Sequence, residues 1–564
     1  MMTTITPWLR AGALALGLAI PASLHAQTWQ WASAHAAGST GSSVIYAAAV
    51  DAAGNTVVAG LFSGTSTFGT TTLVSAGGTD VFVGRLSPTG TWIQAVRAGG
   101  TGDDVALAVG VDAAGNAVAA GSFKGASAAF GSTTLPNADN SGGTSDGFVA
   151  RLSSAGTWTQ ALRMGGSDND GVMALALDGT GTAVVAGNFS SNTATFGGTT
   201  LTNGNTDRSN DVFVARLAAD GTWGQTVRGG GAGDDFVQAL ALDASGSAVI
   251  AGHFARSTVT FGTITLNNAN PGQYSSDVYV ARLSSAGTWT QALQAGGPGN
   301  DYGRGVGIDA NGNAYVAGNF ASPTISFGST TLANATASGN TSDIFVARLS
   351  NANAWTMAAR AGGAENDYAN ALAVDSNGSA SVGGLFQGAT STFGAIALTN
   401  ADPTGAKFDI LVARLSSAGV WNLALRAGGV GDDYTNALAL DASGNAAVGG
   451  NLNSSPATFG SISLNSAGSA FIAKLQGLTT NSKTARAASL LSLAPNPARS
   501  QVELTWIKPE PRALPVTLLD GLGREVRRQM LPAQATRTHL NLSGLGSGLY
   551  IVRIGESAQR LVVE

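Results

Sequence analysis

A tryptophan returns along this chain at a nearly fixed interval. The tripeptide GTW places Trp92, Trp158, Trp223 and Trp289, and weaker copies place Trp355 and Trp421, at successive gaps of 66, 65, 66, 66 and 66 residues. A period of that length restricts the chain to a repeat architecture, in which each unit buries its apolar face against the next. Each copy holds four strand-like runs. In the second copy they are VALAVGVD (105–112), NAVAAGSF (116–123), DGFVARL (146–152) and TWTQALR (157–163). β-Branched and aromatic residues bounded by turn residues favour strands over helices. The turn between the first two runs reads DAAGN at 51 and 112, DANGN at 309 and DASGN at 441. Asp accepts backbone hydrogen bonds there and Gly supplies positive φ, so a hairpin is predicted.

The first run occurs seven times. The seventh copy has its third run, AFIAKL (470–475), but no Trp run after it; the N-terminal region instead holds an orphan one, TWQWASAHA (28–36). An N-terminal strand that completes the last sheet would close a ring and leave no open edge. The expected fold is all-β: a seven-bladed β-propeller over residues 27–476, closed by its N-terminal strand. Apolar residues reach 44% of the chain against 11% charged, which fits a packed array better than a low-complexity tract. A net charge of -5 with no basic run argues against nucleic acid as a partner. With no cysteine, stability rests on packing alone.

Residues 1–26 read as a secretory signal, with Arg10 before the apolar run AGALALGLAI and Ala26 at the cleavage point. That run is too short to span a bilayer, and no later segment is longer, so no transmembrane segment is expected in the mature chain. Residues 477–490 lose the repeat pattern and read as a linker to a last domain, 491–564, expected to be a small β-sandwich.

Two resemblances follow from these residues. The D-x-x-G-N-x-x-V-x-G-x-F, D-x-F-V-A-R-L and A-G-G-x-G-D-D patterns are similar to the SBBP-type β-propeller repeats of secreted bacterial proteins. This implies architecture and export but carries no shared catalytic residues. The run LAPNPARSQVELTW, then VTLLDGLGREVRRQ, HLNLSGLGSGLYIVRI and the terminal QRLVVE, resembles the C-terminal sorting domain of type IX secretion. That resemblance implies a cargo of the type IX machinery, an outer-membrane secretion system of the Bacteroidetes type. The product would be secreted or attached to the cell surface.

Candidate site residues fall into two sets. An acid stands eight residues before each first-hairpin Asp: Asp104, Asp170, Asp235, Asp301, Asp367 and Asp433, with Ser43 in the first copy. Six acids at one mouth of a channel could hold a cation, calcium by their oxygen chemistry, or form a polar collar for a ligand. The plainer reading is that each Asp caps its own Gly-rich turn or pairs with a nearby Arg (Arg97, Arg163, Arg228, Arg360, Arg426). A feature copied in every blade usually belongs to the blade's construction, so the plainer reading is favoured and no resident cofactor is expected. The second set breaks the repeat. Three residues into the inner strand the chain reads Tyr46, Leu107, Met173, Gln238, Arg304, Asn370 and Asn436. Tyr46, Gln238, Arg304, Asn370 and Asn436 are the candidate ligand contacts, weighed against simple inter-blade packing. The tryptophans and the Phe-Gly pairs (Phe68 to Phe459) are expected to pack between blades.

The four histidines share no motif and there is no cysteine, which leaves no Cys/His zinc site and no Ser-His-Asp triad. The expected function is a monomeric, exported binding module for a glycan, a surface polymer or a surface protein. The alternatives are a carboxylate-dependent glycosidase or polysaccharide lyase, which needs two acids at working separation, and a structural surface spacer.

Overall fold

The computed structural model describes residues 28–34, 36–37, 41–205, 207–272, 275–336, 338, 340–477, 491–506, 512–520, 524–554 and 557–564. The expected signal peptide, His35 and residues 478–490 of the expected linker lie outside the described residues. The described residues contain strands and turns but no helix, and so no helix long and apolar enough to cross a membrane. The chain divides into two compact units, Met1–Thr479 and Thr480–Glu564.

The first unit repeats one four-stranded antiparallel meander. In its second copy the order is Asp104–Val111, Ala117–Phe123, Asp146–Leu152 and Trp158–Gly165. The turn after the first strand forms as its sequence requires. In the first copy Asp51 Oδ1 accepts the Asn55 amide at 2.8 Å, its Oδ2 accepts the Asn55 side chain at 2.9 Å, and Gly54 takes φ 81°. Such sheets, stacked through their first strands, are the blades of a β-propeller. Seven of these first strands occur among the described residues, and each packs against the next; the first, Ser43–Val50, also packs against the seventh, Tyr434–Leu440. Where two blades come closest, side chains shrink: a Cβ on Gly305 would stand 2.7 Å from that of Leu372 in the next blade.

The orphan strand Trp29–Ala34 pairs antiparallel with Ser469–Leu475, so that Trp31 faces Lys474 in register, and it becomes the outer strand of the last four-stranded sheet. The two ends of the array are also tied by hydrogen bonds. The Ala470 amide donates to Ser43 Oγ at 3.0 Å, and Asn436 Nδ2 donates to the Ile45 carbonyl at 3.2 Å.

The segment between second and third strands is not a simple loop. In the second copy it forms a hairpin, Ser127–Phe130 with Thr133–Pro136, and this hairpin hydrogen-bonds to the outer strand of the preceding blade, Trp92–Gly100. The third and fourth copies do the same, giving six-stranded sheets. The short strand Ala36–Ala37 takes the hairpin of the first copy in the same way. Each blade is thus laced to its neighbour by main-chain bonds. The Phe-Gly pair tips this hairpin, and its ring meets the tryptophan of its own copy edge-on, as in Phe130–Trp158 at 5.3 Å. The tryptophan in turn reaches the previous blade: Trp158 Nε1 donates to the Arg97 carbonyl at 3.0 Å, and Trp289 and Trp421 repeat the bond to Arg228 and Arg360.

The second unit has two sheets around one apolar core. Gln501–Trp506 lies between Leu491–Ala494 and Arg537–Asn541, while Leu514–Leu519 and Gly548–Ile554 centre a four-stranded sheet. Val502, Leu504, Val516, Leu518, Val552 and Ile554 alternate along these strands and are fully buried.

Candidate functional site: the axial mouth

Five of the collar aspartates begin the inner strands and Asp433 stands just before one, and all six are buried. Each serves its own turn. Asp104 Oδ2 accepts the Gly100 amide at 2.6 Å, and Asp170, Asp235, Asp367 and Asp433 accept the equivalent amide four residues back at 2.6, 2.6, 2.7 and 2.8 Å. The loop after the second strand supplies further donors. Ser191 Oγ reaches Asp170 at 2.7 Å, Ser322 Oγ reaches Asp301 at 2.8 Å and Ser454 Oγ reaches Asp433 at 2.6 Å.

The arginines expected beside these acids go elsewhere. Arg97 pairs with Asp80, inside the strand Thr71–Leu86, and Arg163, Arg228, Arg360 and Arg426 pair with the acid that opens the third strand of their own copy: Asp146, Asp211, Asp343 and Asp409. That second acid approaches the collar of the following blade. A Cβ on Gly165 would stand 2.5 Å from Asp146 Oδ1 and 2.9 Å from Asp170 Oδ2. Oδ1 of Asp80, Asp146, Asp211, Asp277, Asp343 and Asp409 is buried without a hydrogen-bond partner. Burial, opposed by the amide bonds and reinforced by the second acid, pushes Asp104 up to about 7 and Asp235 up to about 8. The collar is therefore a set of buried carboxyl pairs between blades. Among the described residues, no three acidic or histidine side chains gather in a group that could hold a metal ion.

The repeat-breaking residues do converge. In every blade the ladder between first and second strands slips at one residue: between Ile45 and Ala47, Ala106 and Ala108, Val172 and Ala174, Val237 and Ala239, Gly303 and Gly305, Ala369 and Ala371, Thr435 and Ala437. The unpaired residue of each bulge is the one singled out from sequence. A bulge releases a residue from the ladder and re-aims its side chain. All seven line one cavity of about 200 Å³ at the axis. Asn370 Nδ2 donates to the Thr435 carbonyl of the next blade at 3.0 Å.

A second ring lies two residues earlier, and sequence reasoning missed it. Along each inner strand burial alternates, so this position and the bulge are the half-exposed ones. It reads Val44, Val105 and Gly171 in the first three blades, then Phe236, Tyr302, Tyr368 and Tyr434. The signal was present, as a change from small residues to DF, DY, DY and DY. Neighbours extend the aromatic arc: His253 stacks on Phe236 at 5.1 Å and meets Tyr302 edge-on at 4.7 Å, and Phe408 lies 5.9 Å from Tyr368 and 6.1 Å from Tyr434. Burial first, then the charge of Arg304, pushes His253 down to about 3, so it is a neutral ring at any ordinary pH. The mouth is consequently two-sided. The first three inner strands give it Tyr46, Leu107 and Met173; the next four give it Gln238, Arg304, Asn370 and Asn436 and carry an aromatic ring two residues earlier, of which Tyr302 lies against Arg304. A larger cleft of about 630 Å³ lies beside Glu365 and Gln387, but its one arginine, Arg360, is already paired with Asp343.

Comparison with known proteins agrees with this architecture. Residues 492–564 match the secretion system C-terminal sorting domain, and residues 292–319 match the beta-propeller repeat, SBBP. The sorting domain is that of type IX secretion, so the chain is an exported β-propeller protein handled by that machinery. No curated protein matches the chain. Similar solved structures include the Pan2 WD40 domain of Neurospora crassa, at 8% identity and a TM-score of 0.37 over 77% of this chain and 89% of that one. A gluconolactonase from Xanthomonas campestris is similar at 12% identity and a TM-score of 0.28, over 59% and 82% of the two chains. Sqt1 from Chaetomium thermophilum is similar at 10% identity and a TM-score of 0.28, over 61% and 79%.

Proposed function

We propose that this exported propeller is a closed, seven-bladed binding module, and that it binds a glycan or glycan-like surface polymer at its axial mouth. One observation carries the reading. The same four consecutive blades supply both the half-buried rings Phe236, Tyr302, Tyr368 and Tyr434 and the polar bulge residues Gln238, Arg304, Asn370 and Asn436. Apolar ring faces beside amide donors and acceptors suit a sugar, which has apolar CH faces and hydroxyl edges. Pockets of this kind combine an apolar lining with a few placed polar groups. A cavity of about 200 Å³ is smaller than the roughly 300 Å³ at which pockets for drug-sized ligands begin, so it admits a terminal residue and not a length of chain.

The test is a glycan-array screen of the secreted protein beside its Tyr302→Ala and Tyr368→Ala variants. Binding to a defined set of chain ends, weakened about tenfold or more by either substitution, is the expected result. Binding that neither substitution alters would move the ligand away from the mouth. No binding to any glycan would favour a protein partner or a spacer.

A further inference from the structure

Arg304 stands apart from every other arginine of the propeller. Among the described residues, nine of the others form ion pairs with aspartates: Arg85, Arg97, Arg163, Arg208, Arg228, Arg256, Arg360, Arg414 and Arg426. The remaining four, Arg151, Arg216, Arg282 and Arg348, donate to main-chain carbonyls. Arg304 does neither. Its Nε makes one long hydrogen bond, 3.4 Å to Asn319 Oδ1, and its guanidinium carbon lies 5.4 Å from the centre of the Tyr302 ring. Among the described residues it is also the only charged one that lines the axial cavity. The fork of the guanidinium is thus left free at the mouth, held at its neck by Asn319 and on one face by Tyr302.

A half-buried cation without an anion is costly to keep in a folded protein, and an incoming anion recovers that cost. Burial weakens the hold of Arg304 on its proton, and its charge acts on the phenols of both Tyr302 and Tyr368. No second cation stands beside it, because His253 is neutral. One planar fork without a helping charge matches a single carboxylate, which takes two parallel N–H bonds. A doubly charged phosphate would find only half its charge answered.

We infer that the mouth recognises a carboxylate-bearing sugar at the end of a chain, with Arg304 on the carboxylate and the aromatic arc against the sugar ring. This rests on the proposed glycan-binding reading and adds the charge of the ligand to it. Tyr46, Gln238, Asn370 and Asn436 then meet the hydroxyl groups.

The probes are matched oligosaccharides ending in glucuronic acid, in glucose and in glucose 6-sulfate, measured by calorimetry on the secreted protein. The glucuronate end is expected to bind tightest, with affinity falling as salt rises. Arg304→Gln is expected to lower that affinity about tenfold or more and to lower the weak glucose binding much less, so that the preference for the glucuronate end is lost. Arg304→Lys, which keeps the charge and loses the fork, is expected to fall between. Equal binding of the glucuronate and glucose ends, still sensitive to Tyr302→Ala, would overturn the carboxylate and keep the glycan site. A preference for the sulfate end, lost in Arg304→Gln, would replace the carboxylate by another anion. No binding of any probe would overturn both readings.

Discussion

Asp80 and Asp104 face one another across Gly99. A Cβ on that glycine would stand 2.5 Å from Asp104 Oδ2 and 2.8 Å from Asp80 Oδ1, and the glycine itself has φ 138°. Gly362, between Asp343 and Asp367, repeats the arrangement with φ 146°. Gly362→Ala is therefore expected to cost about 2–4 kcal/mol, from backbone strain and from the displaced carboxyl pair together. Gly181 offers the control. It has φ 82° with nothing within 4 Å of a Cβ, so Gly181→Ala should cost only about 1–2 kcal/mol. Chemical denaturation of the two variants measures the difference.

The carboxyl pairs also predict a pH dependence with an unusual direction. Burial, as the largest cause, pushes Asp104, Asp170 and Asp301 up to about 7, and Asp235 and Asp367 up to about 8. An unfolded aspartate titrates near about 3.9. Below that value both states hold the proton and the contribution is complete. Above it the unfolded chain releases protons that the folded blades still hold, so stability falls as pH rises toward about 8. Hydrogen bonds to Ser141 hold Asp139 down at about 2, and Asp178 and Asp441 are also lowered, so these groups act the other way below about pH 4. The melting temperature should therefore peak at mildly acidic pH and decline into the alkaline range. Asp367→Asn, which is neutral at every pH, should flatten the decline. Added calcium should leave the melting temperature at about pH 8 unchanged; a rise would assign the pairs to a cation.

The outer strand of the last sheet comes from the other end of the chain. Trp29 meets Phe459 edge-on at 5.1 Å, and its strand covers the edge of Ser469–Leu475. Trp29→Ala is expected to cost about 2–3 kcal/mol in denaturant titrations. Removing residues 28–34 should do more, exposing the Ser469–Leu475 edge and causing concentration-dependent association visible by light scattering.

Export across the outer membrane is expected to depend on the second unit. A chain lacking residues 491–564 should fold its propeller and yet fail to reach the cell surface or medium, as fractionation would report. Export at the normal level would remove the sorting role.

What could be read from sequence was what each repeat determines within itself. The Asp51–Asn55 turn, the strand Asp146–Leu152 and the break of pattern at residue 477 all depend on neighbours in the chain. The bulge residues were also visible, because Arg304 and Asn370 stand out where a strict repeat would keep one side chain. What escaped depends on which copy meets which. Arg97 takes Asp80 and not Asp104, since strand register places it there and no local pattern encodes that choice. The Ser127–Phe130 hairpin looked like a loop because its partner strand belongs to the preceding blade. The rings from Phe236 to Tyr434 differ from Val44 and Val105 by position around an axis, which a linear reading does not display.

The pairing of Trp31 with Lys474 imposes an order on events. Its two strands are separated by nearly the whole repeat array, and contacts between such distant segments form late and slowly. Any chain that stops before Ser469 keeps both this sheet and its N-terminal strand unmatched, however well the middle blades have formed. Strand Trp29–Ala34 is thus made early and placed late, and its docking completes the last four-stranded sheet.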